Sequence, residues 1–203
     1  NILMYKIGPL YNKPFDFAVH KNFLNYNQIQ YIYQNLKNLQ FQTAKVGDTS
    51  IQDDEYRRSK VKWIPFSKTW NVLYSSVLGL IQEYNSYIWK FNLKESPNNF
   101  QYTEYHSTDS GKYDWHVDLG GNILSYRKLS VTIQLSDSNE YEGGDLQLFD
   151  GASETISEFP YTTIEKGLGT AVIFPSYMMH RVTPVTKGIR KSLVLWVGGK
   201  PFK

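Results

Sequence analysis

Residues 129–136 read "LSVTIQLS", an unbroken alternation of aliphatic and polar side chains. Successive side chains of a β-strand point to opposite faces, so the pattern predicts a strand with one aliphatic and one polar face. In a closed core the polar face would meet water, whereas in a barrel around a polar ligand it can line the ligand cavity. The polar set is Ser130, Thr132, Gln134 and Ser136.

Similar strand-like runs surround this stretch throughout residues 98–199. Glycine-rich and polar turns separate them, including "LGGN", "EGG" and "KGLG". Many short strands at such spacing predict a β-sandwich or a jelly roll. The runs are "FQYTEYH" (100–106), "KYDWHVD" (112–118), "GDLQLFD" (144–150), "GTAVIFP" (169–175), "HRVTPVT" (180–186) and "KSLVLWVG" (191–198).

Residues 1–97 have a different sequence pattern, which predicts two helices. Asn25 can cap the first helix, and Gln28 stands three residues later, as in a capping box. The second helix is predicted at about 67–89, where apolar residues recur at spacings of three and four. The predicted buried face of the first helix comprises Ile29, Ile32 and Leu36.

Between the helices lie two predicted strands, "FQTAKV" (41–46) and "SKVKWI" (59–64), joined by the polar segment 47–58. Helices that come first and strands that follow predict helices packed on the outside of a sheet. We expect a single domain over residues 1–203, with helical support in 1–97 and the β core in 98–199.

The composition excludes several classes of function. The net charge is only +3 and no basic run occurs, so neither nucleic acid nor a membrane surface is expected as a partner. The chain has no cysteine, which excludes disulfides and thiolate metal sites. No apolar run approaches the roughly 18–20 residues of a membrane span, and we expect a cytoplasmic location.

The stretch "GKYDWHVDLG" (111–120) places His116 and Asp118 two residues apart, on one face of a strand. These could be an ordinary strand histidine and a turn aspartate. With a second imidazole, for which His180 is the best candidate, they would leave three open positions on a metal, as in non-heme Fe(II) oxygenases. Arg190 follows His180 and could hold the far carboxylate of a bound 2-oxo acid through its planar fork.

Three motifs in this order, "HVD" (116–118), "EGGDLQL" (142–148) and "HRVTPVTKGIRKSLVLW" (180–196), resemble the Fe(II)/2-oxoglutarate-dependent dioxygenase superfamily. They are most similar to its prolyl 4-hydroxylase-like branch, which includes bacterial and phage hydroxylases. The resemblance extends over about residues 15–199. It implies a mostly β fold with flanking α-helices, in which N-terminal helices support a double-stranded β-helix (jelly roll) core.

The resemblance also implies a role for particular residues. The implied iron ligands, which are also the catalytic residues, are His116, Asp118 and His180. The implied co-substrate-binding residues are Arg190, Tyr105, Gln134 and Thr132. Arg190 would hold the far carboxylate of 2-oxoglutarate with help from Tyr105, while the other two would line the pocket. The resemblance further implies Fe(II) as the cofactor, 2-oxoglutarate and O2 as co-substrates, and ascorbate as a possible accessory reductant.

Hydroxylation of a C–H bond is the function that the resemblance implies, with peptidyl proline as the substrate that fits the branch best. A free amino acid or another small molecule is the alternative, and a non-catalytic jelly-roll binding module is the rival from another class. Segment 47–58 is either a solvated loop or a lid over the substrate, in which Arg57 or Arg58 meets a substrate carbonyl or carboxylate.

Overall fold

A computed structural model of the protein describes residues 17–44, 53, 55–95, 99–149 and 160–202. The predicted lid, residues 47–58, lies for the most part outside these ranges. The described α-helices are α1 (Tyr26–Leu36) and α2 (Asn71–Tyr87), and two short 3-10 helices span Ser107–Asp109 and Asn122–Tyr126. Neither α-helix in the described part of the chain has the length and apolar character that a membrane crossing requires.

β-Strand is the most abundant regular structure in the described residues, and most of the strands are short. In chain order these are β1 (Ala18–His20), β2 (Gln42–Thr43), β3 (Arg57–Arg58), β4 (Lys60–Ile64), β5 (Leu93–Glu95), β6 (Phe100–His106), β7 (Lys112–His116), β8 (Arg127–Gln134), β9 (Tyr141–Gly143), β10 (Leu146–Phe149), β11 (Tyr161–Thr163), β12 (Ala171–Pro175), β13 (His180–Val182) and β14 (Val185–Gly199).

The strands form two antiparallel sheets. The larger sheet has the order β1-β12-β8-β14-β6-β4-β2, and β5 and β9 pair additionally with β14. The smaller sheet has the order β11-β10-β13-β7-β3. The predicted mostly β fold with flanking helices is confirmed, because both α-helices contribute residues to the core that covers one face of the larger sheet.

Strand β8 settles the two possibilities that its alternation left open. Its aliphatic residues Leu129, Val131 and Ile133 are fully buried in the same core as residues of α1 and α2. The polar residues on the opposite face, including Ser130 and Thr132, are buried as well. The polar face therefore lies inside the molecule, between the two sheets, and not in water.

The helix boundaries follow the sequence signals, with one correction. The capping box of α1 is present, with the Gln28 amide donating to Asn25 Oδ1 at 3.0 Å and the Asn25 amide donating to Gln28 Oε1 at 2.8 Å. Helix α2 begins at Asn71 instead of Ser67, because the intervening residues form a turn in which the Trp70 amide donates to the Ser67 carbonyl at 3.1 Å.

Several strand boundaries also differ from the prediction. The run predicted at 180–186 is divided between β13 and β14, with Pro184 between them; proline cannot donate to a strand ladder. Strand β14 therefore contains the end of the run predicted at 180–186 and the whole of the run predicted at 191–198. Strand β14 pairs with β8 from Gly198 opposite Arg127 to Ser192 opposite Gln134. Strand β8 therefore begins at Arg127, two residues before the predicted start at residue 129.

Candidate metal centre

Two histidines and one aspartate meet between the sheets. His116 ends β7 and His180 begins β13, and the two residues are direct partners across these strands. Asp118 follows β7, and its Oδ1 and Oδ2 lie 3.9 Å from His116 Nε2 and 3.6 Å from His180 Nε2. Ligand atoms of the three residues all lie within 4.8 Å of one another, and all three residues are buried. Their spacing therefore suits a single metal ion bound by two nitrogens and one carboxylate.

Backbone carbonyls fix both imidazole rings. His116 Nδ1 lies 2.7 Å from the Asp114 carbonyl, and His180 Nδ1 lies 2.9 Å from the Met178 carbonyl. Because a carbonyl oxygen only accepts, each Nδ1 must carry the hydrogen. The two Nε2 atoms then present lone pairs to the cluster, as metal-ligating histidines require.

Two buried serines orient the carboxylate. Ser130 Oγ donates to Asp118 Oδ2 at 2.7 Å and lies 3.0 Å from Ser176 Oγ. The Asp118 amide donates to the Ser176 carbonyl at 2.9 Å. The sequence interpretation gave neither serine a role, although Ser130 belongs to the polar set of the alternating strand. These partners hold the carboxylate rotamer before any metal binds.

The electrostatics of the cluster suit a cationic metal. Burial lowers the pKa of His116 well below its ordinary value, and nearby His180 lowers it further, so His116 is neutral at neutral pH. Burial alone would raise the pKa of Asp118. The interactions with His180, His116 and Arg127 and the hydrogen bond from Ser130 outweigh it, so the pKa is lowered and Asp118 is ionised. A neutral imidazole and a carboxylate are the forms that bind a metal.

Ser130→Ala is expected to weaken Fe(II) binding about 10- to 100-fold, the usual effect of removing an outer partner of a metal ligand. The reason is the loss of the hydroxyl that holds Asp118 Oδ2. Anaerobic Fe(II) titration measures the affinity. Ser136→Ala is the matched control, since this buried hydroxyl contacts backbone atoms of Ile189 and Lys191. Equal Fe(II) affinities for the two variants would contradict the role assigned to Ser130.

A cavity of about 360 Å³ opens on the cluster. At one end lies Arg190, which is 2% exposed, and its Nη1 donates to Ser192 Oγ at 3.2 Å. Its Nε and Nη2 are buried without a hydrogen-bond partner within 3.5 Å among the described residues. The Tyr141 hydroxyl is a neighbour of the guanidinium: burial raises the pKa of Tyr141, and Arg190 partly offsets this. A buried guanidinium with unused donors is costly. The residues present therefore fit a ligand that brings a carboxylate to Arg190.

The other predicted co-substrate residues divide into two groups. Tyr105 is the cross-strand partner of Arg190, whose Cζ lies 5.5 Å from the centre of the tyrosine ring, and both Tyr105 and Thr132 line the cavity. Gln134 is not among the described residues that line it. Its amide nitrogen donates to the Glu165 carbonyl at 3.1 Å, and its Oε1 accepts a bond from Tyr141 Oη at 3.4 Å.

Other predictions concern residues at the edge of this site. Arg57 lines the cavity and lies over the ring of Tyr113, with Cζ 4.5 Å from the ring centre, whereas Arg58 does not line it. Tyr113 stacks in turn on His116 with a ring-centre distance of 3.4 Å. Trp115 lies next to His116 in β7, and its ring lies against Arg181, whose Cζ is 4.7 Å from the ring centre.

Gly144 gives Arg190 its space. Its φ of +62° disfavours any side chain, and an added Cβ would lie 2.9 Å from Val185 Cγ2 and 3.1 Å from Arg190 Cδ. Gly144→Ala is therefore expected to displace Arg190 and to raise the 2-oxoglutarate dissociation constant about tenfold or more, measured by calorimetry. Gly79→Ala is the control, because that helical position has no atom within 4 Å of the added Cβ. Unchanged 2-oxoglutarate binding in the Gly144 variant would contradict this role.

A two-histidine, one-carboxylate site between two antiparallel sheets is the arrangement typical of non-heme iron proteins of the jelly-roll class. Residues 100–198 match the family model described as the 2OG-Fe(II) oxygenase superfamily. This region of the chain therefore belongs to the superfamily. The superfamily uses Fe(II), 2-oxoglutarate and O2, and His116, Asp118 and His180 are the residues that could hold the iron.

Curated relatives are similar over part of their length. A PKHD-type hydroxylase of Synechococcus sp. (strain CC9311) is 41% identical over 87 residues, which are 43% of this chain and 36% of the relative. A PKHD-type hydroxylase of Acidovorax ebreus (strain TPSY) is 36% identical over 95 residues, which are 44% of this chain and 39% of the relative. The chain thus spans well under half the length of the curated relatives it matches.

Solved structures share the fold at low sequence identity. A prolyl hydroxylase from Trichoplax adhaerens, solved in complex with a hypoxia inducible factor oxygen degradation domain peptide fragment, has a TM-score of 0.74 at 19% identity, covering 90% of this chain and 83% of that one. A prolyl-4-hydroxylase of Pseudomonas putida has a TM-score of 0.67 at 17% identity, covering 91% and 92%. These similarities confirm the predicted double-stranded β-helix core.

Proposed function

We propose that the protein is an Fe(II)- and 2-oxoglutarate-dependent dioxygenase that hydroxylates a C–H bond, with peptidyl proline as its substrate. One observation carries the proposal. The same cavity holds the His116, Asp118 and His180 cluster and, at its end, the buried Arg190 with two unused donors. A metal ion and a dicarboxylate together satisfy both features, whereas either ligand alone satisfies one of them.

The protein's part in the reaction is to bind, orient and protect. His116 and His180 offer Nε2 atoms, and Asp118 offers a carboxylate held by Ser130. Arg190 would bind the far carboxylate of 2-oxoglutarate through its Nε and Nη2, which fixes the direction of the co-substrate. When bound, iron with 2-oxoglutarate supplies the oxidising chemistry, in which O2 is consumed and succinate, CO2 and a hydroxylated substrate are formed.

Apolar side chains keep this chemistry away from water. Leu146 and Val182 line the cavity and are 3% and 6% exposed. A dry cavity strengthens the interaction of Arg190 with a carboxylate and protects a reactive oxidant from side reactions. The low exposure of Tyr105 at 4% extends this protection to the Arg190 end of the cavity.

Peptidyl proline is supported by the relatives and by the shape of the cavity. The solved structures with this fold include prolyl hydroxylases, one of them in complex with a peptide fragment. Within this chain, Trp63 and Trp196 line the cavity with ring centres 6.4 Å apart, and Tyr113 lines it as well. Aromatic faces of this kind suit the apolar ring of a proline.

The proposal includes a single domain over residues 1–203 and a cytoplasmic location. The absence of cysteine supports this location, since disulfides are common in small secreted domains. Ascorbate is proposed as an accessory reductant on the likeness to the superfamily alone.

The test is turnover in the presence of Fe(II), 2-oxoglutarate, ascorbate and air, with a set of proline-containing peptides. We expect succinate release together with peptides that gain the mass of one oxygen atom, and no such product when 2-oxoglutarate is omitted. A non-catalytic binding module would release no succinate with any peptide or small molecule, and that result would overturn the proposal.

A further inference from the structure

The strand that carries His116 is contacted from outside the metal cluster by Tyr56 and Arg57. Arg57 and Arg58 form β3, which pairs antiparallel with β7 at the edge of the smaller sheet, with Arg57 opposite Tyr113. Tyr56 comes directly before this strand and is half-buried, and it is not among the described residues that line the cavity. Any influence of Tyr56 on the site therefore passes through β7.

Tyr56 holds the main chain of β7 on both sides of the carbonyl group that orients the imidazole ring of His116. The Asp114 amide donates to the Tyr56 carbonyl at 2.9 Å, and the Tyr56 hydroxyl donates to the Trp115 carbonyl at 2.7 Å. Between these two contacts lies the Asp114 carbonyl, which accepts the hydrogen of His116 Nδ1 at 2.7 Å. Because peptide groups are planar and rigid, fixing the groups on either side restricts the rotation of the one between them.

Tyr113 supports the same imidazole ring from its face. The two rings are stacked, with centres 3.4 Å apart and planes at 15°. Tyr56 meets Tyr113 edge to face, with ring centres 5.7 Å apart at 84°, and Arg57 Cζ lies 4.5 Å from the centre of the Tyr113 ring. Both geometries are attractive. The imidazole ring of His116 thus has two supports, the Asp114 carbonyl and the Tyr113 ring, and Tyr56 contacts the residues that provide both.

The turn that presents Tyr56 is itself held by hydrogen bonds. The amides of Glu55 and Tyr56 each donate to Asp53 Oδ1 at 3.1 Å, and the Arg57 amide donates to the Asp53 carbonyl at 2.7 Å. Aspartate side chains that accept from following amides stabilise turns of this kind. The hydroxyl and the ring of Tyr56 therefore reach β7 from an ordered turn.

We propose that Tyr56 is a positioning residue for the iron ligand His116. It holds both supports of the imidazole ring, so that Nε2 is directed at the metal position before the metal binds. The inference rests on the proposed metal site, and it requires nothing of the substrate. His180 provides an internal comparison, because its Nδ1 bonds to the Met178 carbonyl and the described contacts of Tyr56 reach neither residue. Loss of the Tyr56 hydroxyl should therefore loosen one histidine and leave the other in place.

Proton NMR of the Co(II)-loaded protein tests this difference. Co(II) is paramagnetic and binds the same nitrogen and oxygen ligands, so each ligating histidine should give one strongly shifted, exchangeable Nδ1–H signal. In Tyr56→Phe, which removes only the hydroxyl, one of the two signals should move and exchange faster with water, while the other stays unchanged. Tyr56→Leu also removes the ring contact with Tyr113 and should move the same signal further.

The affinity for Co(II) gives a second measurement on the same variants. We expect Tyr56→Phe to bind Co(II) about two- to tenfold more weakly than the wild type, the range for the loss of one hydrogen bond. Part of the ordering of His116 would then have to occur on binding, which lowers the affinity of a ligand site. Equilibrium dialysis measures the dissociation constants.

Tyr33→Phe is the matched control. The Tyr33 hydroxyl also donates to a backbone carbonyl, that of Leu135, at 2.7 Å, and this tyrosine packs against the core formed by the helices and the larger sheet. The substitution removes the same hydroxyl group from a similar hydrogen bond. Both shifted signals and the affinity for Co(II) should match those of the wild type.

Three results would overturn the inference. They are equal changes of the two signals in Tyr56→Phe, two unchanged signals in both Tyr56 variants, and the same change in Tyr33→Phe as in Tyr56→Phe. In each case the wild-type protein still shows two shifted signals, so the metal site stands and only the role of Tyr56 fails. A wild-type protein without two such signals would contradict the proposed metal site, and the inference would fail with it.

Discussion

Arg190→Gln is expected to weaken 2-oxoglutarate binding by roughly 30- to 4,000-fold, which corresponds to about 2–5 kcal/mol for a buried, hydrogen-bonded charge pair. Arg190 is 2% exposed, and its Nε and Nη2 have no partner among the described residues, so a bound carboxylate would be their main acceptor. Glutamine keeps an amide NH2 group as a donor but loses both the positive charge and the planar fork. Isothermal titration with 2-oxoglutarate in the presence of Fe(II) measures the effect.

Arg181→Gln is the matched control for this prediction. Arg181 also lies on a strand, but it stands over Trp115 and its Nε donates to Gln147 Oε1 at 2.7 Å, away from the cavity. Fe(II) affinity should be unchanged in both variants, because neither arginine contacts the ligand atoms of the metal cluster. If Arg190→Gln binds 2-oxoglutarate as tightly as the wild type does, Arg190 is not the co-substrate anchor.

Asp118→Ala is expected to abolish stoichiometric Fe(II) binding and with it 2-oxoglutarate turnover. The loss should exceed the about 10- to 100-fold effect typical of an outer partner, because this change removes the single carboxylate of the cluster. Two imidazoles would remain, with no carboxylate to offset the positive charge of the metal. Equilibrium dialysis with Fe(II) under anaerobic conditions and succinate release in air measure the two losses.

Asp114→Ala is the control for Asp118→Ala. Its carboxylate accepts a bond from the Trp115 amide at 2.8 Å, while only its backbone carbonyl holds His116. The substitution therefore leaves the support of the imidazole in place, and Fe(II) binding should stay close to that of the wild type. Retained turnover in Asp118→Ala would contradict the assigned metal site, as would an equal loss in Asp114→Ala.

The fold was predictable where the sequence pattern depends on local geometry. The alternation of residues 129–136 predicted a strand with a buried aliphatic face, and Asn25 with Gln28 predicted the start of α1. Exact strand limits depend on pairing partners distant in sequence, which a local pattern does not contain. For this reason β14, at 15 residues, extends well beyond the run predicted at 191–198.

The metal ligands could be predicted because few residue types can bind iron. Few side chains ligate iron, and the chain has only four histidines, so His116, Asp118 and His180 could be selected before their geometry was known. Supporting residues carry no such signal. Serine is common and usually only polar, so Ser130 could not be identified as the partner of Asp118, and Gln134 could not be seen to turn toward Glu165.

The central claim is that one cavity binds Fe(II) at the His116, Asp118 and His180 cluster and 2-oxoglutarate between that metal and Arg190. Anaerobic titration of the Fe(II)-loaded protein with 2-oxoglutarate, followed by visible absorption, tests it most directly. We predict a weak charge-transfer band that saturates at one 2-oxoglutarate per chain, is absent in Asp118→Ala, and needs far more 2-oxoglutarate in Arg190→Gln. A wild-type protein that gives no band, or a band unaffected by both substitutions, would contradict the claim.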